Sequence, residues 1–177
     1  STVKKYKHQW NLIDAVGLLR NDGIPIELHL VGGGDSPALN LMQDAIQRNK
    51  SDKNFIFYHG NLSYEQTLEW YNKADIFVFP SSCETFGISL LEAMTASLPI
   101  ASSDRGPMPE VLKDAGLYFN PESVTMIKNC LRYMIENPNL RQRLGKKAKQ
   151  YSETYSWKKC ANETFAFLSS VYKSNLR

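Results

Sequence analysis

The chain has 177 residues, 42% of them hydrophobic, enough for one well-buried core but short for two full domains. Its 21 basic and 18 acidic residues leave a net charge of +3, which gives no reason to expect a nucleic-acid partner. The three cysteines, Cys83, Cys130 and Cys160, are odd in number and widely spaced. They form neither a disulfide framework nor a C-x-x-C metal pattern, so a reducing, cytoplasmic setting is expected. No apolar run approaches the roughly 20 residues that cross a bilayer, and no signal-peptide pattern is present.

The opening "STV" reads as the end of a strand, and the chain starts on Ser1 rather than Met. A piece of a longer protein is therefore expected. Helical spacing follows over 9–21, then a strand in "IELHLV" (26–31), a glycine-rich loop and a helix over 37–49. "NFIFY" (54–58) reads as a second strand, and Ser63 with Gln66 predicts a capping box for a helix over 64–73. "DIFVF" (75–79), a helix over 88–96, "PIAS" (99–102) and "GLYF" (116–119) continue the alternation. Helices are predicted over 123–136, 139–151 and 157–174. In the last, Trp157, Ala161, Phe165, Leu168 and Tyr172 recur at helical spacing, the pattern of a core-facing stripe. Alternating strands and helices predict an α/β fold: a Rossmann-like, doubly wound parallel sheet with terminal helices, forming a single domain over 1–177.

Ligands of such sheets bind beyond the carboxyl ends of the strands. "GGGDSP", after the first strand, fails the dinucleotide fingerprint because Pro37 stands where a third glycine belongs. A tight turn with a supporting role near a ligand is expected there, at Gly32 and Gly33. The three histidines, His8, His29 and His59, show no metal spacing. The richest loop is "VFPSSCETFGISLLEAM". Pro80 ends a buried strand, and Gly87 begins a helix whose first amides lack intrahelical partners, a natural seat for phosphate. Gly87 has no β-carbon to hold a ligand away. Glu84 precedes the helix and Glu92 lies about a turn and a half into it, so the spacing suits a ligand with hydroxyl, phosphate and hydroxyl in sequence. Taken alone, the two glutamates have a plainer account: Glu84 favours the positive helix end and Glu92 is solvated.

The surrounding residues shift that balance. "PSSCETFGISLLEAMTASLPI" resembles the signature of the retaining glycosyltransferases of family 4, also called glycosyl transferase group 1: a Glu, seven residues, a Glu, with Phe-Gly inside. "YKHQWNLIDAVGLL", "LHLVGGGD", "FIFYHGNLSYEQTLEWYNKADIFVFPS" and "GPMPEVLKDAGLYFNP" match in order, so the similarity covers nearly the whole chain. The resemblance implies a GT-B fold of two Rossmann-like halves, of which this is the C-terminal, donor-binding one. The acceptor-binding N-terminal half would be missing, leaving these residues alone inactive. It implies transfer of a hexose from a nucleotide diphosphate sugar to an acceptor hydroxyl, with retention of configuration. Glu92 would hold the ribose hydroxyls and Glu84 would sit beside the transferred sugar. Amides of Phe86, Gly87, Ile88 and Ser89 would contact sugar hydroxyls and diphosphate, and Gly32 and Gly33 would line the donor site. Lys7 falls where the family has the lysine that neutralises the leaving diphosphate.

No metal or other cofactor is expected, since such an enzyme balances leaving-group charge with amides and lysine. The acceptor, a glycan, a lipid or another hydroxyl, would be met by the other half, with glycan biosynthesis at the inner membrane face as the setting for peripheral association. Two departures from the family pattern stand out. Thr2 replaces an arginine five residues before the lysine, and Pro107 replaces the second glycine of a Gly-Gly pair, removing an amide donor. Lys5 or Arg105 would supply the missing charge. A non-catalytic nucleotide-binding or partner-binding module of the same fold is the alternative.

Overall fold

A computed structural model describes residues 2–34, 36–51 and 53–174; Ser1 and Asp35, which fall in stretches quoted above, lie outside the described residues. A 3-10 turn at Lys5–Lys7 leads into α1 (Gln9–Asn21). Then follow β1 (Leu28–Val31), α2 (Ser36–Arg48), β2 (Ile56–Gly60), α3 (Tyr64–Lys73), β3 (Phe77–Phe79) and α4 (Ile88–Thr95). The chain continues through β4 (Ile100–Ser103), α5 (Met108–Leu112), β5 (Gly116–Phe119), α6 (Val124–Glu136), α7 (Pro138–Ser152) and α8 (Trp157–Ser174). Every strand and helix predicted from residue 9 onward exists, with ends displaced by a residue or two; of the strand end read in the opening residues, the described part shows only a one-residue parallel bridge from Val3 to Gly34. The Ser63 hydroxyl accepts from the Gln66 amide at 3.2 Å, and the Gln66 side chain accepts from the Ser63 amide at 2.9 Å, as the capping box requires.

All strand pairs are parallel. β1 pairs with β2, and β3-β4-β5 form a second ribbon, so the expected single sheet is in two pieces. β1 and β3 flank a cavity of about 730 Å³ that runs from Pro25 and Asp75 at their amino ends to Gly32 and Ser81 at their carboxyl ends. The spatial order β2-β1-β3-β4-β5 reverses direction between β1 and β3, so that cavity occupies the topological switch point.

Strand alternation sorts side chains onto two cores. Ile76, Val78, Ala101, Leu117 and Phe119 join Leu12, Ile13, Val16 and Leu19 of α1, with α2 and α6. Phe77, Phe79, Ile100 and Tyr118 face the other way, toward Leu90 and Met94 of α4, with α5 and α7. α3 seats differently, because its residues are half-buried or exposed. Trp70 stacks at 4.4 Å on His29 and lies 4.5 Å from His59, whose ring nitrogens approach to 3.1 Å. A register shift between Leu30 and Val31 leaves His59 unopposed on β2, and its ring meets His29. Burial, and then His29, hold His59 below the ordinary imidazole pKa, so His59 favours its uncharged form.

Two expectations need correction. Between "PIAS" and "GLYF", where no helix is predicted, lies a short one, α5, which begins behind Pro107. The proline costs it nothing, since the first amides of a helix have no partner to lose. The apolar stripe of α8 is not a core stripe: Trp157, Phe165 and Tyr172 are 80%, 69% and 68% exposed. Periodicity reports an apolar face, and among the described residues no element covers this one.

Close packing of α7 on the turn between α4 and β4 depends on Gly145. A β-carbon there would lie 2.2 Å from the Ser97 carbonyl oxygen and 3.4 Å from Pro99 N, both backbone atoms. Gly145→Ala is expected to destabilise the domain by about 1–3 kcal/mol, by overpacking, read as a lowered melting temperature; an unchanged one would show that the helix shifts freely.

Candidate functional site

The loop after β3 and the turn before α1 are stitched together. The Tyr6 carbonyl accepts from the Ser82 amide at 2.7 Å and from the Ser81 and Ser82 hydroxyls at 3.4 and 3.3 Å. His8, at φ 46°, lies in the left-handed region, and its Nε2 is 2.8 Å from Ser82 Oγ. Burial lowers the His8 pKa, opposed in part by Glu122. This clamp carries Lys7 across 77 residues of sequence to Glu84, to whose Oε1 its Nζ donates. The two side chains are only 11% and 15% exposed. The ammonium also lies 5.2 Å from the Phe79 ring centroid and 5.6 Å from that of Tyr6. Glu84 is therefore an ion-pair partner, not a carboxylate merely attracted to a helix end.

Gly87 caps α4 at φ 89°, a conformation that L side chains rarely adopt. A β-carbon there would also touch Phe79 Cε1 at 3.4 Å. The glycine is thus required by the turn itself as well as by close approach. Leu90 and Leu91 make the first helical bonds, both to the Gly87 carbonyl, so the Ile88 and Ser89 amides precede the hydrogen-bonded ladder. The Ile88 side chain is exposed, and Phe86 packs edge-on against Tyr155 at 5.4 Å.

Glu92 is not simply solvated. Its Oε2 accepts from the Tyr71 hydroxyl at 3.0 Å, and the same hydroxyl lies 3.3 Å from the Ser89 carbonyl. Burial first, and Glu92 second, push the Tyr71 phenol well above its usual pKa, so it remains a donor at every physiological pH.

The loop after β4 closes on the site from the side. A β-carbon on Gly106 would lie 4.0 Å from the Glu84 amide. Arg105 is occupied by Asp104 at 3.1 Å and Glu122 at 3.8 Å, whereas Lys5 is exposed. Gly32 lines the same cavity as Lys7. Its amide donates to the Gly60 carbonyl at 2.7 Å, and the Gly33 amide donates to Asn61 Oδ1 at 2.6 Å. Both amides serve the fold, which leaves these glycines close backbone approach as their contribution to a ligand site.

The structure thus gathers Lys7, Glu84 and the start of α4 at the carboxyl end of β3, with Glu92 on the next turn. The sequence pointed to each of these residues but not to the Lys7–Glu84 pair, nor to Tyr71, which lies 21 residues before Glu92 with no local pattern joining them.

The family model for glycosyl transferases group 1 matches residues 1–151. The sulfoquinovosyl transferase of Arabidopsis thaliana is 30% identical over 118 residues, 62% of this chain and 23% of the plant protein. O-antigen chain mannosyltransferase B of Escherichia coli is 31% identical over 110 residues, 62% of this chain and 29% of that protein. The matched stretch is therefore less than a third of either relative. Among solved structures, sucrose-phosphate synthase from Thermosynechococcus elongatus superposes with a TM-score of 0.82 at 22% identity, over 97% of this chain and 44% of that one. Anabaena HepE in complex with UDP gives 0.81 at 21%, over 96% and 47%. At these identities the likeness to solved structures establishes the fold, the Rossmann-like α/β half of a GT-B architecture.

Proposed function

The chain belongs to the glycosyl transferases group 1, and we propose that it is the half of a retaining hexosyltransferase that binds a nucleotide diphosphate sugar. The observation that carries this is the Lys7–Glu84 ion pair at the amino end of α4, beside the switch-point cavity. The HepE complexes with UDP and with UDP-glucose support the choice of ligand class.

A diphosphate entering here meets Lys7 and the Ile88 and Ser89 amides. Lys7 exchanges its Glu84 partner for phosphate, and the freed carboxylate turns to the hydroxyls of the transferred sugar. Glu92 takes the ribose hydroxyls. As the bond from sugar to diphosphate breaks, charge grows on the phosphate oxygens, where Lys7 and the helix amides stabilise it. Preorganised donors in a partly buried site do this without a metal ion. Among the described residues no three His, Cys, Asp or Glu side chains converge on a metal-sized site.

The acceptor, a glycan, a lipid or another hydroxyl, is taken by a part of the protein outside these residues, as the 44% and 47% shares of the structural neighbours suggest. Residues 1–177 alone are then a donor-binding domain without turnover. Cytoplasmic placement at a membrane face belongs to the same proposal; no helix among the described residues is long and apolar enough to cross a membrane. The product anomer, read by NMR with the full-length protein, tests retention. A non-catalytic module is the second reading, favoured by the engagement of Arg105 with Asp104 and Glu122, which leaves less charge for phosphate.

Thermal unfolding with UDP, GDP, ADP and their sugars tests the central claim. A ligand at 100 times its Kd adds about 2.7 kcal/mol of apparent stability, so one of the series should raise the melting temperature. The shift should survive a chelator. No shift with any nucleotide would overturn the donor-site proposal, and a shift abolished by EDTA would overturn its metal-free form.

A further inference from the structure

Resting on that donor-site proposal, we propose that Tyr71 is a positioning residue that fixes the Glu92 carboxylate for a vicinal diol and so sets the preference for a ribonucleotide. Among the described residues Tyr71 is the hydrogen-bond partner of this carboxylate, at 3.0 Å to Oε2. A carboxylate offers about four acceptor sites on two oxygens. Tyr71 uses one on Oε2 and leaves Oε1 for the two adjacent hydroxyls of a ribose.

The phenol is well suited to hold another group still. Its ring packs against Phe77 of β3, centroids 5.6 Å apart, and it lines the switch-point cavity. The hydroxyl reaches out of α3 to two atoms of α4, the Ser89 carbonyl and the Glu92 carboxylate. A glutamate on a helix otherwise samples several rotamers, and ordering it at the moment of binding would weaken the contact. With Tyr71 in place, that ordering precedes the ligand. Burial keeps the phenol protonated, so the donor cannot be lost to ionisation near neutral pH.

The test uses calorimetry with UDP and 2′,3′-dideoxyuridine diphosphate on the wild type, Tyr71→Phe, Glu92→Ala and the double variant. GDP and ADP, with their dideoxy forms, are run in the same way. Phenylalanine keeps the ring and its packing and removes only the donor; circular dichroism verifies folding. Tyr71→Phe should weaken the ribonucleotide by about three- to tenfold and leave the dideoxy form unaffected. In the Glu92→Ala background the same change should have no further effect. Equal loss with both nucleotides would assign Tyr71 a general packing role, and no loss would remove it from the site; either overturns the inference. Absence of binding by the wild type to all three bases would overturn the donor-site proposal itself, and this inference with it.

Discussion

Lys7→Ala in the full-length protein is expected to lower kcat for sugar transfer by about 10²–10³-fold, the cost of removing one preorganised group from a developing negative charge. Loss of activity alone would not separate chemistry from folding, because the substitution also leaves Glu84 without its ion-pair partner in a site where it is 15% exposed. An orphaned buried charge of this kind costs about 3–5 kcal/mol, visible as a lower melting temperature. The double variant Lys7→Met, Glu84→Gln removes both charges and the stranded one with them. Stability should return toward the wild-type value while turnover stays low. Recovery of turnover in the double variant would mean that Lys7 serves the fold and not the leaving group. Full activity in Lys7→Ala would remove it from the mechanism.

Much of the fold was legible because its signals are local. Strands such as "IELHLV" and "GLYF" are short apolar runs, and the Ser63–Gln66 box is written within four residues. α5 escaped notice because five residues are too few for periodicity to emerge, and prolines flank its start. The exposed face of α8 was misassigned for another reason: apolar spacing states that a face avoids water, but not what covers it. At the site the signature located Glu84, Gly87 and Glu92 correctly relative to α4. It could not show that Lys7 Nζ rests on Glu84, because that contact is made by the Tyr6–Ser82 clamp between distant loops. The same limit applies to Tyr71, which sequence alone offers as one more aromatic on an amphipathic helix.

The two glutamates should separate cleanly in binding. Glu92→Ala removes an acceptor for ribose hydroxyls, and a hydrogen bond to a charged group is worth about 1.5–3 kcal/mol. Free nucleoside diphosphate and its sugar conjugate should therefore lose affinity alike, by about ten- to a hundredfold. Glu84→Ala acts in the opposite sense on the free nucleotide. In the ligand-free protein Glu84 occupies Lys7, so a diphosphate must first compete with that carboxylate. Without it Lys7 is available at once, and free nucleotide should bind as tightly as before or somewhat more tightly. The sugar conjugate should gain less, because its hydroxyls lose the partner that Glu84 becomes after the exchange. In the full-length protein Glu84→Ala should then depress kcat more than it weakens donor binding, the mark of an interaction made mainly in the transition state. Calorimetry with both variants, each verified as folded, separates these outcomes. Equal loss of free nucleotide in the two would show that Glu84 also faces the nucleotide, and no loss in Glu92→Ala would show that the carboxylate held by Tyr71 does not meet the ribose.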